Sequence, residues 1–317
     1  MSRLTLFIAA MVGFLLLCFG ATRIISNEYA FFAGFVVLQF VVLATAWNIL
    51  GGYCGYVNFG SGAFFAMGAY SALFMFKLLG ASVPVQILAA AVVSGLLGLG
   101  VGYFTMRLRG IFFAIATVAL AVILETVILH WDFVGGARGM TVTRPASAPL
   151  FSSYTRFLFF VMGTLVVIAL CVARYIERSW IGRGLQAIRD NEEAAECMGV
   201  PTVRLKLLAC TLSGALMGIA GAPQVLFMNH LEPTSAFSLN YAVSALAMPI
   251  IGGTTHWVGP VIGAVLLGSV QQLVTVTVSS ELNVFILGVL LVVFVVAAPN
   301  GILGLLSKLR KRFGGAK

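Results

Sequence analysis

From its amino end the chain is a succession of long apolar runs separated by short polar breaks, and such runs can be drawn at 4–25, 30–50, 57–78, 84–106, 111–130, 157–176, 207–227, 238–252, 255–275 and 283–303. Most approach the roughly 20 residues that a helix needs to cross a hydrocarbon layer about 30 Å thick. None alternates as a barrel strand would, and in lipid only helices or closed barrels satisfy every backbone group. The pattern predicts an all-α, polytopic transmembrane helical bundle of about 10 spans (8 to 10), forming one membrane domain over residues 1–317. Glycine and proline interrupt several runs. The segments 51–62 and 249–260 are therefore expected to be broken or re-entrant rather than straight helices. The opening Met1-Ser2-Arg3 and the apolar run behind it have the outline of a signal peptide. That run is long and lacks a clear small-residue cleavage site, so we read it as a retained first span.

Composition agrees with lipid as the solvent: 61% of residues are hydrophobic and only 9% charged. The net charge of +9 does not point to nucleic acid, because the basic residues cluster at the ends of apolar runs. In a ten-span arrangement with both termini cytoplasmic, Arg3, Arg107, Arg109, Arg174, Arg178, Arg183, Arg189, Arg204, Lys206, Lys308, Arg310, Lys311, Arg312 and Lys317 fall inside. Arg23, Lys77, Arg138, Arg144 and Arg156 fall outside, and the excess inside obeys the positive-inside rule. Cys18, Cys54, Cys171, Cys197 and Cys210 are scattered without C-x-x-C spacing, as small buried hydrophobes would be. No nucleotide-binding G-x-x-x-x-G-K-[ST] loop occurs, nor an H-E-x-x-H, so nothing points to phosphate or metal chemistry on this chain.

Two connections are longer than turns require. The outer one, His130 to Thr155, carries Gly135-Gly136, Arg138-Gly139 and Pro145 and reads as irregular. The inner one, 177–206, holds the densest mixture of charge in the chain. Within it Asp190 and Glu193 have the N-cap and N3 spacing of a capping box, and Glu192 and Glu193 suit the positive end of a helix. Gly199 and Pro201 would end that helix, predicting a short element over about 191–198 on the cytoplasmic face. Tied to two spans, it is placed to let a soluble partner push on the bundle; an ordinary solvated loop satisfies the same pattern.

Small residues at Gly95, Gly98 and Gly102, at Gly214 and Gly218, and at Gly259 and Gly263 mark faces where helices approach closely. A weak echo pairs 51–63 with 252–264, sharing Gly-Gly, Val and Gly-Ala. Polar groups inside spans are expensive, hence functional suspects. They are Gln39, Asn48, Asn58, Glu125, Gln271 and Gln272. Asn48, Asn58, Ser61, Gly252 and Gly253, at the Gly-rich breaks, are candidates for a translocation path, with helix packing and turn capping as the plainer reading. Glu125, near an outer end, suits an ion pair, an interfacial position or a substrate path; His130 suits the interface.

Several ordered motifs carry a resemblance. Glu193-Ala194-Ala195-x-x-x-Gly199 is similar to the core of the signature that permease subunits of binding-protein-dependent ABC importers present to their ATPases. The Ile-x-Leu-Pro that often follows is absent. The stretch Gly182-Arg183-Gly184-Leu185-Gln186-Ala187-Ile188-Arg189-Asp190-Asn191-Glu192 looks like the corresponding loop of branched-chain amino acid permeases of the LivH/LivM kind. Asn48 to Gly55 with Asn58 to Phe65, Arg109 to Thr117, Trp131 to Thr141, Gly252-Gly253 with Gly259 to Ala264, and Pro299 to Gly304 resemble the LivM subunit in order over nearly the whole chain.

The resemblance implies a heteromeric importer in a bacterial or archaeal inner membrane. This chain would pair with a LivH-like second permease, two LivG/LivF-like ATPase subunits and a periplasmic or lipid-anchored substrate-binding protein. Cofactors would be none on this chain, with ATP and Mg on the partners. Arg183, Leu185, Ala187, Ile188, Arg189, Asp190, Asn191, Glu192, Glu193, Ala194, Ala195 and Gly199 would form the ATPase-coupling loop. The cargo would be leucine, isoleucine and valine, with urea, short amides and aromatic or dicarboxylic acids as alternatives in the same family. An ion-coupled secondary transporter is a further alternative, though it usually needs a buried titratable series that these spans lack.

Overall fold

The computed structural model describes residues 3–105, 108, 110–143, 148, 150–277, 285, 288–289, 291–294, 296 and 301–305. Among these, nine helices are long and apolar enough to cross a membrane. They match the first nine expected runs; about half of the tenth, 283–303, lies outside the described residues, as do Arg107, Arg109, Arg144 and the basic tail from Lys308.

In chain order the helices are α1 (Arg3–Ile24), α2 (Glu28–Trp47), α3 (Ser61–Leu79), α4 (Val83–Thr105), α5 (Ile111–Leu129) and α6 (Tyr154–Arg178). There follow α7 (Trp180–Asp190), α8 (Glu192–Cys197), α9 (Thr202–Gly221), α10 (Gln224–Met228), α11 (Pro233–Ala236), α12 (Leu239–Gly252) and α13 (Val258–Thr277). Short polar residues start several of them: the Asn27 and Ser153 side chains accept from Tyr29 N and Thr155 N at the heads of α2 and α6.

The bundle is organised around α9, which packs on α4, α3 and α2. Of the α9–α10 span 72% is buried, against 11% of α1, so α9 is central and α1 peripheral. Glycines make the central approach possible, as the small-residue spacing predicted. A Cβ on Gly98 would stand 2.5 Å from the Cys210 carbonyl oxygen, and one on Gly214 would stand 2.7 Å from that of Ser94. Two long-range hydrogen bonds fasten α9 to α2: Ser213 Oγ donates to Ala46 O at 2.8 Å and Gln39 Nε2 to Ala220 O at 3.1 Å. Gln39 also donates to Gln224 Oε1 at 2.9 Å, so this suspect intramembrane amide is satisfied inside the chain.

The charged residues sort to two ends. At one, Arg156 pairs with Glu28 at 2.8 Å and the Lys77 ammonium reaches the Phe133 carbonyl. There β1 (Met140–Thr141) and β2 (His230–Leu231) pair antiparallel. The opposite end gathers Arg174, Arg178, Arg183, Arg189, Arg204 and Lys206 with α7 and α8, and by the positive-inside rule it is the cytoplasmic end. Both Gly-rich breaks lie there, as connections between spans. After α2 the chain makes a wide π-type turn at Asn48–Gly52 and runs irregularly to α3. The other break is the α12–α13 connection, and α12 itself continues through Pro249 to Gly252.

The 177–206 connection, expected as a loop carrying one short helix, is almost wholly helical. It comprises the end of α6, then α7, α8 and the start of α9. The helix expected over 191–198 is α8, but its N-cap is Asn191, not Asp190. Asp190 is the last residue of α7; Asn191 is extended, with φ −163° and ψ 110°, and its Oδ1 accepts from Ala194 N at 3.0 Å. The cap falls where the backbone leaves the helix, and Asn serves it as well as Asp. The cysteines divide: Cys18, Cys54 and Cys210 are buried as expected, whereas Cys171 and Cys197 are exposed.

Candidate functional site

The exposed part of the inner face is a compact polar surface on α7 and α8, with its apolar side turned to the bundle. Leu185, Ile188 and Ala195 are buried and Ala187 is half-buried. Arg183, Arg189, Asp190, Asn191, Glu193, Ala194 and Gly199 are exposed beside Met198, which is 84% accessible. Gly199 ends α8 for a conformational reason. It has φ +81°, its N–H bonds to Glu196 O at 2.9 Å, and Val200 N bonds to Ala195 O at 3.0 Å, the paired bonds of a Schellman stop. A Cβ there would touch nothing within 4 Å, so the requirement is backbone shape and not space.

Two ties bind this surface to the first break, through Tyr56 and Gly52, and two bind it to α9, through Lys206 and Thr202. Lys206 Nζ, in the first turns of α9, meets Glu192 Oε1 at 2.6 Å, with side chains 8% and 11% exposed. The Tyr56 hydroxyl donates to the other oxygen of the same carboxylate. Arg189 Nη1 donates to Gly52 O at 2.9 Å while its Nε stands 3.7 Å from Asp190. Glu196 Oε1 accepts from Thr202 Oγ1 at 2.7 Å, closing α8 onto α9.

Another residue, Glu177, joins the two breaks to each other. Its Oε2 accepts from the Tyr53 hydroxyl at 3.2 Å and from Trp257 N at 2.7 Å, and its Oε1 lies 3.6 Å from His256 Nε2. Burial first, then the Glu177 carboxylate, push the Tyr53 phenol above its ordinary pKa, so it stays a donor. Burial likewise pushes the Cys54 thiol up to about 12. Asn48 Nδ2 donates to Thr254 O at 3.2 Å, while its Oδ1 is buried with no hydrogen-bond partner among the described residues.

The candidate path residues are all at or near these breaks. Asn58 and Ser61 are buried and locally engaged: Asn58 O accepts from Trp47 Nε1 at 2.9 Å, and Asn58 Oδ1 accepts from Gly60 N at 2.7 Å. Ser61 Oγ donates to Asn58 O at 3.2 Å. Gly252 and Gly253 sit where α12 and α13 approach, against Gly259 and Gly301. Glu125 is half-buried a turn from the outer end of α5 and makes no ion pair among the described residues. His130 is exposed, its Nδ1 at 2.8 Å from Thr126 O. Gln271 Nε2 donates to Ser244 Oγ at 3.3 Å, and Gln272 lines an outer groove with Tyr29 and Phe159. Sequence reading missed Glu177, Lys206, Tyr53 and Tyr56. In the sequence Lys206 reads only as an orientation charge, and no spacing rule links 56 to 192.

Residues 29–295 match the family described as branched-chain amino acid transport system, permease component. Over 308 residues, 89% of this chain and 72% of the relative, the chain is 28% identical to the high-affinity branched-chain amino acid transport system permease protein LivM of Salmonella typhimurium. Over the same shares it is 26% identical to that of Escherichia coli K12. It is 29% identical to the probable branched-chain amino acid transport permease protein LivH of Methanocaldococcus jannaschii, over 80% of this chain and 85% of the relative.

Proposed function

The chain belongs to the branched-chain amino acid transport system permease family, and we propose that it is the membrane-spanning subunit of an ATP-driven importer of leucine, isoleucine and valine in the inner membrane. A LivH-like permease completes the pore, two LivG/LivF-like subunits hydrolyse ATP with Mg, and a periplasmic or lipid-anchored protein delivers the amino acid. The observation that carries the reading is the exposed α7–α8 surface tied by buried polar contacts to the broken segment after α2.

In this mechanism the ATPase docks on Arg183, Arg189, Asp190, Glu193, Ala194 and Gly199. Its movement is passed through Glu192 to Lys206 on α9 and to Tyr56 in the first break. Because α9 is held to α4 and α2 by close glycine contacts and by Ser213 and Gln39, it moves as a body. The compliant parts are the two breaks, where Asn48, Asn58, Ser61, Gly252 and Gly253 form the hinge of the inner gate.

The test is Glu193→Arg in the intact five-subunit system. Glu193 is exposed, so the bundle still inserts, while ATPase co-purification and ATP-driven leucine uptake fall sharply. Uptake and association at wild-type levels would show that this surface is not where the ATPase docks.

A further inference from the structure

At the cytoplasmic end a groove of about 410 Å³ opens between α1 and the end of α6, reaching Ser179, the residue that precedes α7. Its floor and one wall are apolar, from Leu4, Phe7 and Ile8 on α1, and its other wall carries Arg174, Tyr175 and Arg178 on α6. Arg174 is only 7% exposed, with its guanidinium carbon 3.8 Å from the centre of the Phe7 ring. Arg178 is exposed and has no acidic partner at ion-pair distance among the described residues. Leu4 and Ile8 are 59% and 51% exposed, as befits the peripheral helix of the bundle. Tyr175, which lines it, and Trp180, the first residue of α7, are exposed, with the amphipathic character of side chains that sit at a membrane interface.

A groove with one apolar wall, two arginines on the other, and a place at the cytoplasmic end of the spans fits one kind of molecule. We propose that it binds an anionic phospholipid of the inner leaflet, the phosphate held by Arg174 and Arg178 and an acyl chain lying along Leu4, Phe7 and Ile8. A guanidinium offers a phosphate a planar fork of donors, and basic pockets between spans on the cytoplasmic side are suited to acidic headgroups. A zwitterionic lipid presents the same phosphate with an ammonium group beside it, which two arginines disfavour. The lipid also explains how α1, packed chiefly on α6, is held against the bundle.

The test uses the assembled transporter in nanodiscs of phosphatidylglycerol or of phosphatidylcholine, with Cys171 as the reporter, because it is exposed and lines the same groove. A membrane-permeant maleimide is applied, and the Cys171→Ser variant identifies the Cys171 signal. In parallel, native mass spectrometry counts retained lipid. The expectation is that phosphatidylglycerol slows labelling of Cys171 and is retained, and that Arg178→Gln lowers retention about fivefold, the effect of one basic group near a headgroup. Arg174→Gln should lower it at least as much, and because Arg178 is exposed, its variant remains informative if the other does not fold. Inorganic phosphate at millimolar concentration should displace nothing, since the acyl chain supplies part of the affinity. Equal labelling in both lipids would overturn the proposal, whether the groove is open or covered by a protein helix. So would retention that ignores both arginines, or phosphate competing as well as lipid.

Discussion

Lys206→Met removes the ammonium group that Glu192 faces at 2.6 Å in a site where both side chains are about nine-tenths buried. Breaking a buried pair by deleting one partner costs about 3–5 kcal/mol, because a charge is left in a poor solvent. The bundle need not bear that cost. Of the six residues of α8 only Ala195 is buried, worth about 1 kcal/mol, and the Glu196–Thr202 hydrogen bond adds about another. Undocking α8 and hydrating Glu192 is therefore easier than keeping the charge buried. The docked-to-undocked ratio should fall by roughly two to four orders of magnitude. Hydrogen exchange on the intact complex reads this directly. Amides of 192–198 should exchange at least about 100-fold faster, those of α4 and α9 should keep their protection, and ATP-driven uptake should fail. The double variant Glu192→Gln with Lys206→Met should recover much of the docking, since no uncompensated charge remains. Unchanged exchange over α8 in the single variant, or a double variant as damaged as the single one, would refute the pair as the element that holds α8.

Two further outcomes follow from glycines in different roles. Gly199→Ala should loosen the end of α8 by about 1 kcal/mol, because its φ of +81° disfavours any side chain, and Gly199→Asn should cost less; exchange at Gly199 and Val200 measures both. Gly98→Ala sets a Cβ 2.5 Å from the Cys210 carbonyl oxygen and should lower the melting temperature in detergent by several degrees, whereas Gly100→Ala, two residues away with nothing within 4 Å, should leave it unchanged. Equal melting temperatures for the two would mean that α4 and α9 are not closely packed.

The spans were legible because lipid imposes a length and forbids unpaired backbone, and their starts and ends fall close to the apolar runs of the sequence. The glycine faces were legible for a related reason: close packing between lipid-exposed helices needs small residues at fixed spacing, and Gly98, Gly214 and Gly218 kept it. What was not legible is tertiary. Asp190 and Asn191 are both good caps, and which one serves depends on where α7 leaves its last turn. The stretch 180–190 reads as polar loop because its helix buries only one narrow face, Gly182, Leu185 and Ile188, against the bundle. In the sequence, Tyr53 and Tyr56 are two aromatics in a Gly-rich segment, with nothing local to mark them. Their meaning lies in hydroxyls that reach acids more than 120 positions away, Glu177 and Glu192.

Those two tyrosines also explain why the break stands where it does. A rigid lever needs a compliant joint beside it, and α9 is the lever: glycine-packed on α4 and bonded to α2 at both Ala46 and Gln39. If α2 ran as an uninterrupted α-helix into its connection, any displacement at Lys206 would have to move the whole α2–α9 pair. Instead α2 ends in a π-type turn, a geometry with looser hydrogen bonding that is often found at functional positions. The turn keeps one amide oxygen, Asn48 Oδ1, buried without a hydrogen bond among the described residues, at a cost of about 1–3 kcal/mol. Tyr53 and Tyr56 then fasten the far side of the joint to Glu177 and to the Glu192–Lys206 pair. In the proposed mechanism a push on α8 is delivered across the π-type turn at the inner end of α2, and through Tyr53 and Glu177 it reaches the second break at Trp257 as well.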